Sequence, residues 1–280
     1  MKRVKGFCCL AVLVSLLLLS SGCASVPYRQ GVAFDDPHLV AATVEDIEIV
    51  RGRPNRFLDA SDWIWPGSLF GKLILWDRRV DNHLIGEKAE RVMLSYLTVN
   101  ELPHVKVRLN QYAPGDELLR TVRNQSVGAG WRYTLGMVSW LQYTAFPGRF
   151  FGGDHYNPYS NSINLYSDIP AIAVHEGGHA KDFAGRKWKG TYAFAYQIPF
   201  VNLYHEARAS NDALGYLREH ENYVLQREGY RIMHPAYGTY IGSNISQWVS
   251  ADLGYLVYGA AVIGGHISGR VRGATLPRAQ

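Results

Sequence analysis

Cysteine is scarce in this chain and confined to one end of it. The 280 residues include 3 cysteines, Cys8, Cys9 and Cys23. The sequence after Cys23 therefore offers no thiol for a disulfide, a zinc–thiolate site or a catalytic nucleophile. Any metal that this later part binds must be held by histidine and carboxylate side chains.

Charge of either sign is also sparse. Charged residues make up 19% of the chain and hydrophobic residues 47%, which is typical of a globular protein. The formal charge is +5, but Lys2, Arg3 and Lys5 lie in a segment that we expect to be removed, which leaves 26 basic against 24 acidic residues. So small an excess gives no electrostatic case for nucleic acid, and we expect no such partner.

The apolar run over residues 7–19 is too short to cross a bilayer comfortably. It follows Lys2, Arg3 and Lys5, so residues 1–22 have the form of an export signal. We therefore predict that residues 1–22 are a signal peptide.

The sequence Leu19-Ser20-Ser21-Gly22-Cys23 resembles the lipobox of bacterial lipoproteins. The resemblance implies that Cys23 is lipidated and anchors the protein to the membrane. The commonest lipobox has leucine where Ser20 stands here, one place after Leu19. An ordinary cleaved signal with an incidental cysteine is the alternative. Ala24 replaces the aspartate that tends to retain lipoproteins at the inner membrane, which favours the periplasmic face of the outer membrane.

Three further segments follow the signal. Residues 23–60 are predicted to be the lipidated cysteine and an irregular tether, broken by Pro27 and Pro37. Residues 61–235 are predicted to form the main domain, and residues 236–280 a glycine-rich helical tail. The predicted fold class is α+β, mainly helical, with a small antiparallel sheet beside the helix that carries the motif described below.

Local patterns predict the elements of the main domain. Helices are expected over residues 81–97, 114–123, 131–145 and 199–220. Strands are expected over residues 104–110, 149–153 and 162–166, the last two as a hairpin. Another helix is expected to follow Ser167 or Asp168 as its cap, with Pro170 in its first turn.

Two apolar segments each allow two interpretations. Residues 63–76 contain three tryptophans and could lie in a membrane interface, or they could form a core helix beginning near Pro66. In the tail, glycine, alanine and serine recur every four residues, which predicts a helical hairpin that either inserts in the membrane or packs against the domain. Asp252 and His266 argue against insertion. The recurring positions are Gly238, Gly242, Ser246, Ala260, Ala261, Gly264, Gly265, Ser268 and Gly269.

The motif that carries chemistry is His175-Glu176-Gly177-Gly178-His179, an HExxH pattern. Positions i and i+4 share one face of a helix, so His175 and His179 can converge on one ion. The intervening glutamate can take a proton from a water that zinc has acidified. Each glycine costs a helix interior about 1 kcal/mol relative to alanine, which we interpret as a need for close backbone approach near a metal.

A zinc site with two histidines needs a third protein ligand. The metzincin continuation HExxHxxGxxH is excluded, since Asp182 and Gly185 stand at the places of its last glycine and histidine. Glu206, on the next predicted helix, can face the two imidazoles. His205 is the competing ligand, because neutral imidazole also binds zinc.

These residues resemble the gluzincin peptidases, which combine HExxH with a glutamate ligand on a later helix. The HEGGH motif, with Glu206 followed by Ala209, looks most like the membrane-associated members, and the likeness covers residues 175–219. It implies that His175, His179 and Glu206 bind Zn²⁺ and that Glu176 is the general base. Many gluzincins have aspartate where Ser210 stands here; Asp182 and Asp212 are the candidates to replace it.

The resemblance also implies that residues 61–235 form a zincin-like metallopeptidase domain, and substrate contacts are expected by analogy with that architecture. We predict that residues 162–166 form an edge strand that pairs with an extended peptide. Asp154 and His155 are either a second metal or substrate site or a polar turn. The candidate donors to the oxyanion are Tyr192, Tyr196, His220, His234 and Tyr237.

The sequence thus predicts zinc-dependent hydrolysis of peptide bonds at the bacterial cell envelope. A protein or peptide is the expected substrate, and the membrane is the expected partner of the lipid anchor. A non-enzymatic assembly factor or scaffold with a structural or vestigial metal site is the main alternative. Hydrolysis of a non-peptide envelope polymer is a third possibility.

Overall fold

The computed structural model describes residues 27–31, 47–53, 55–61 and 66–277. The predicted signal peptide, Cys23 and most of the predicted tether lie outside these residues. Export and lipid attachment therefore stay predictions.

The chain divides into two compact units. Among the described residues, one unit runs from Arg29 to Ala195, and the other comprises residues 27–28 and those from Tyr196 onward. The predicted domain limits at residues 61 and 235 stay predictions.

The strands described in the first unit form one mixed sheet. They are β1 (Glu48–Arg51), β2 (Lys106–Leu109), β3 (His155–Asn157) and β4 (Ser162–Leu165), in the order β1-β2-β4-β3. β2 is parallel to both β1 and β4, whereas β3 is antiparallel to β4. The prediction of an antiparallel sheet is therefore wrong outside this hairpin. Two neighbouring parallel strands must be joined by a long crossover connection, and a local sequence pattern does not reveal which strands are joined in this way.

Helices connect these strands and make the fold α+β and mainly helical, as predicted. They are α1 (Arg56–Ser61), α2 (Pro66–Leu75), α3 (Glu87–Val99), α4 (Pro114–Arg123), α5 (Ala129–Trp131), a π-helical segment (Arg132–Gly136), α6 (Met137–Ala145), α7 (Gly148–Phe151), α8 (Pro170–Ala184) and α9 (Lys189–Tyr196).

Helices with clear local signals lie where the sequence places them. α4 occupies the predicted residues 114–123 and begins with Pro114, whose fixed φ suits a first turn. The helix predicted over residues 131–145 is also present, although π-helical geometry interrupts it. α3 begins later than predicted, at Glu87, because the chain is irregular over residues 82–86.

The strand predicted over residues 149–153 is wrong. Residues up to Phe151 belong to the short helix α7, and Gly152 and Gly153 then turn the chain with φ of 74° and 96°. Arg149 donates from Nε to Asp59 Oδ1 at 3.0 Å, which ties this helix to α1. The two residues of this contact are ninety positions apart in the sequence, so no local pattern could predict it.

Strand β2 lies within the strand predicted over residues 104–110, and it is buried on both faces. Its charged side chains are accommodated because α4 supplies acids. Arg108 pairs with Glu117 in full burial and donates to Asp116 at 2.7 Å. Lys106 pairs with Asp116 at 2.8 Å. Buried charges require such partners.

The second unit contains three long helices: α10 (Val201–Glu219), α11 (Tyr223–Ser246) and α12 (Ala251–Ala274). α11 and α12 form the predicted helical hairpin, and glycines let them approach closely. A Cβ atom on Gly238 would lie 2.5 Å from the Ala261 carbonyl oxygen, and one on Gly269 would lie 2.2 Å from that of Tyr230. None of the described helices combines the length and the hydropathy that a membrane crossing needs.

Candidate metal centre

The HExxH motif lies on α8, which belongs to the first unit. Pro170 occupies the first turn, as predicted, but the helix has no side-chain cap. Ser167 and Asp168, the predicted caps, bind the segment before α3 instead. Ser167 Oγ accepts from the Asp81 N–H at 2.8 Å, and Asp168 Oδ1 accepts from the Gly86 N–H at 2.9 Å. These bonds anchor the start of α8 to a part of the chain that precedes it by more than eighty positions.

The two histidines of the motif are neighbours on one face of α8. The ring centroids of His175 and His179 are 4.7 Å apart, with the planes at 84°. His179 is buried and His175 partly buried. Glu176, between them in sequence, is buried as well. The motif thus has the helical geometry that its spacing predicts.

Gly177 serves helix packing. A Cβ atom at this position would lie 2.6 Å from two ring carbons of Tyr96 on α3. The interpretation of this glycine as a sign of close backbone approach to a metal is therefore wrong. It lets α3 pack against α8 through a tyrosine ring, which is a structural reason to omit the side chain.

The third ligand predicted for the site is Glu206, a buried residue of α10. One ligand atom from each of His175, His179 and Glu206 lies within 4.8 Å of the others. These three groups could hold a metal ion. In the part of the chain that the structure describes, no other group of three or more such residues meets this distance.

His205, the competing ligand, is not a member of this group. It is buried, and its ring packs edge-on against Tyr196 at 5.2 Å and against Tyr204 at 6.0 Å between centroids. The distances therefore favour the carboxylate over the neighbouring imidazole as third ligand.

No family model matches the chain, and neither a curated protein nor a solved structure does. A function is therefore inferred from the clustering of the ligand atoms of His175, His179 and Glu206.

Tyr196 lies directly beside the predicted third ligand, and the sequence did not anticipate this role. Its hydroxyl donates to Glu206 Oε1. Burial, the Glu206 carboxylate and a hydrogen bond with Tyr240 raise the pKa of the Tyr196 hydroxyl well above its ordinary value. The tyrosine therefore stays protonated and remains a donor. From the sequence, Tyr196 is only one of the candidate oxyanion donors, because residue type alone does not reveal its partner.

The other oxyanion candidates have partners of their own. Tyr192 donates to Asp182 Oδ2 at 2.5 Å, and Arg186 donates to Asp182 Oδ1 at 2.6 Å. His220, His234 and Tyr237 lie within hydrogen-bond distance of the Tyr216 carbonyl, Ser268 Oγ and the Leu203 carbonyl.

Strand β4 is not the edge strand that the sequence predicts. It lies between β2 and β3, so its backbone groups pair on both sides. The edges of the described sheet are β1 and β3. The prediction fails because edge status depends on where β2 joins the sheet, and that is a long-range pairing.

Asp154 and His155 do not form the polar turn that was one of their two interpretations, because His155 is the first residue of β3 and Asp154 directly precedes it. Asp154 Oδ1 accepts from the N–H groups of Tyr166 at 2.6 Å and Ser167 at 3.0 Å. His155 Nδ1 lies 2.9 Å from the Gly153 carbonyl oxygen. These contacts hold the hairpin together locally.

Proposed function

We propose that the protein is a zinc-dependent peptidase of the bacterial cell envelope, similar to the gluzincins. The observation that carries this proposal is the clustering of ligand atoms from His175, His179 and Glu206 within 4.8 Å. Two imidazoles and one carboxylate form a donor set that catalytic zinc sites use, with a further position left for water or substrate. The absence of cysteine after position 23 is consistent with such a set.

In this proposal His175, His179 and Glu206 hold Zn²⁺, which when bound acidifies water and polarises a substrate carbonyl. Glu176 takes the proton of the attacking water and delivers it to the leaving amine. Its position next to His175 on the same helix supports this role. A structural metal site would need no such base.

The substrate of this proposal is an extended protein or peptide segment. A peptide can pair through its backbone with an exposed sheet edge. β3 is the edge that fits, because it contacts α8, the helix that carries the motif. The substrate would thus pair with β3 rather than with the interior strand β4.

The proposed location is the periplasmic face of the outer membrane, with the protein anchored through a lipid on Cys23. This part of the proposal is supported by the signal-like residues 1–22 and by the lipobox resemblance. It is independent of the metal site.

The decisive experiment compares wild type with Glu176→Gln, using Glu219→Gln, an exposed change at the end of α10, as control. Zinc content and cleavage of a peptide library are measured for each. We expect all three proteins to bind zinc, and Glu176→Gln alone to lose cleavage, by about 100-fold or more.

Three other results contradict the proposal. Zinc binding without cleavage by wild type indicates a scaffold with a structural site. Cleavage of cell-wall fragments but of no peptide indicates a polymer hydrolase. Equal zinc content in wild type and His179→Ala shows that the cluster does not hold the ion.

A further inference from the structure

Helix α2 is inverted relative to an ordinary surface helix. Surface helices turn their apolar stripe to the core and their polar residues to water. In α2, Phe70 and Leu73 are 56% and 62% exposed, whereas Lys72 is 6% exposed and Ser68 is buried. The core-helix interpretation of this segment is therefore wrong, because the polar side is the one that faces the protein.

The buried polar side fixes this orientation. Lys72 Nζ donates to Ser68 Oγ at 2.5 Å and to the Asp81 carbonyl oxygen at 3.2 Å. A buried ammonium without such partners would be strongly unfavourable. The bond to Ser68 lies within α2, whereas the bond to Asp81 joins α2 to the segment that follows it. Turning the helix over would break the bond to Asp81, so this bond holds Lys72 on the inner side.

The outward side forms a continuous apolar face. Its members are Leu69, Phe70 and Leu73, spaced as one side of a helix requires, and Trp76, which directly follows α2 with φ of 54° and is 65% exposed. Contiguous exposed apolar patches of this kind mark sites of interaction with another molecule or a membrane.

The sequence in and beside α2 fits a lipid bilayer. Three of the 7 tryptophans of the chain lie between residues 63 and 76, and tryptophan is favoured at membrane interfaces. The exposed residues Arg53, Arg56 and Arg78 flank the segment in sequence and suit anionic head groups. The helix has 10 residues, which is too short to span a bilayer but long enough to lie in its surface.

A second copy of the chain is a poorer occupant. A standard protein interface uses roughly 20–30 residues on each side. The apolar face of α2 has four large side chains, so it is small for a stable dimer. We propose that α2 docks on the surface of a phospholipid bilayer, with Leu69, Phe70, Leu73 and Trp76 among the acyl chains. This docking goes beyond the proposed peptidase activity and does not depend on it.

The test measures whether Trp76 enters the acyl region. The full chain is mixed with vesicles of phosphatidylethanolamine and phosphatidylglycerol that carry bromine on their acyl chains, which quenches nearby tryptophan. Wild type is compared with Trp76→Phe and with Trp248→Phe, a matched control in which a tryptophan 69% exposed in the other unit is changed.

We expect bromine quenching to fall in Trp76→Phe and to stay at the wild-type level in Trp248→Phe. Equal quenching in all three proteins would overturn the proposal. A second measurement uses iodide in water without vesicles, where Trp76 should remain accessible at every protein concentration. If Trp76 becomes protected as the protein is concentrated, a second copy covers the face and the proposal fails.

Discussion

At the scale of single residues, the hydrogen bond from Tyr196 to Glu206 bears most directly on the metal centre. The tyrosine hydroxyl donates to one carboxylate oxygen of Glu206, which is one of the three groups that could hold a metal ion. Partners of this kind orient a ligand, and their loss typically weakens metal binding by 10–100-fold. Since both residues belong to the same unit, this contact is preserved by the packing of that unit alone.

Tyr196→Phe should therefore weaken zinc binding about ten-fold while the protein remains folded. Competition with a chromogenic chelator measures the affinity. The control is Tyr204→Phe, which alters a partly exposed tyrosine that also contacts the His205 ring. Identical affinities for wild type and both variants would show that the hydroxyl does not position Glu206. The measurement remains informative if the protein binds zinc without cleaving peptides.

At the scale of elements, the α11–α12 hairpin depends on particular glycines rather than on glycine content. A Cβ atom on Gly265 would lie 2.5 Å from the His234 carbonyl oxygen and 2.6 Å from Pro235 Cα, both backbone atoms. A Cβ atom on Gly259, in the same helix, would have no neighbour within 4 Å. Alanine substitutions at these two positions therefore distinguish the effect of interhelical packing on stability from the effect of helix propensity.

Gly265→Ala should lower the free energy of unfolding by about 1–3 kcal/mol, because the backbones must move apart. Gly259→Ala should raise it by up to about 1 kcal/mol, since alanine favours the helix and nothing obstructs it. Urea unfolding followed by circular dichroism measures both. Equal effects of the two changes would mean that the helices do not approach each other at Gly265.

At the scale of the whole molecule, His234 should make stability depend on pH. Burial, and then the charge of Arg272, lower the pKa of His234 from 6.5 to about 4. Between these values the unfolded chain binds a proton at this residue and the folded chain does not. Stability therefore falls as the pH drops from 6.5 towards 4, by up to about 3 kcal/mol from this group.

His234→Gln should remove this contribution and flatten the unfolding free energy between pH 4 and 6.5, measured by urea titration at several pH values. The control is His104→Gln, at an exposed histidine just before β2. If His234→Gln retains the slope of wild type, the imidazole is not held neutral by the fold.

Predictions from the sequence succeeded where the signal was local. The i, i+4 spacing of His175 and His179 predicts a shared helical face, and their rings are neighbours. Pro114 marks the start of α4 correctly. The four-residue recurrence of small residues predicts the α11–α12 hairpin. Such signals involve residues a few positions apart, so the chain itself brings them together.

Other features depend on residues far apart in sequence. β4 is an interior strand because β2 pairs with it. Gly177 has no side chain because the ring of Tyr96 packs against that position. Ser167 accepts a hydrogen bond from the Asp81 N–H instead of capping α8. Each of these partners is chosen by tertiary packing among many that the local sequence permits. Amphipathic patterning likewise left open which side of α2 would face water.

The sequence by itself determined the helices that have clear local signals, such as α4, as well as the motif and the restriction of metal ligands to histidine and carboxylate after position 23. Only the tertiary structure decided that Glu206 rather than His205 joins His175 and His179, that Tyr196 donates to Glu206, and that Lys72 is buried beneath an apolar face. The physical reason is that helix formation depends on neighbours along the chain, whereas the choice of partner depends on where separate elements pack.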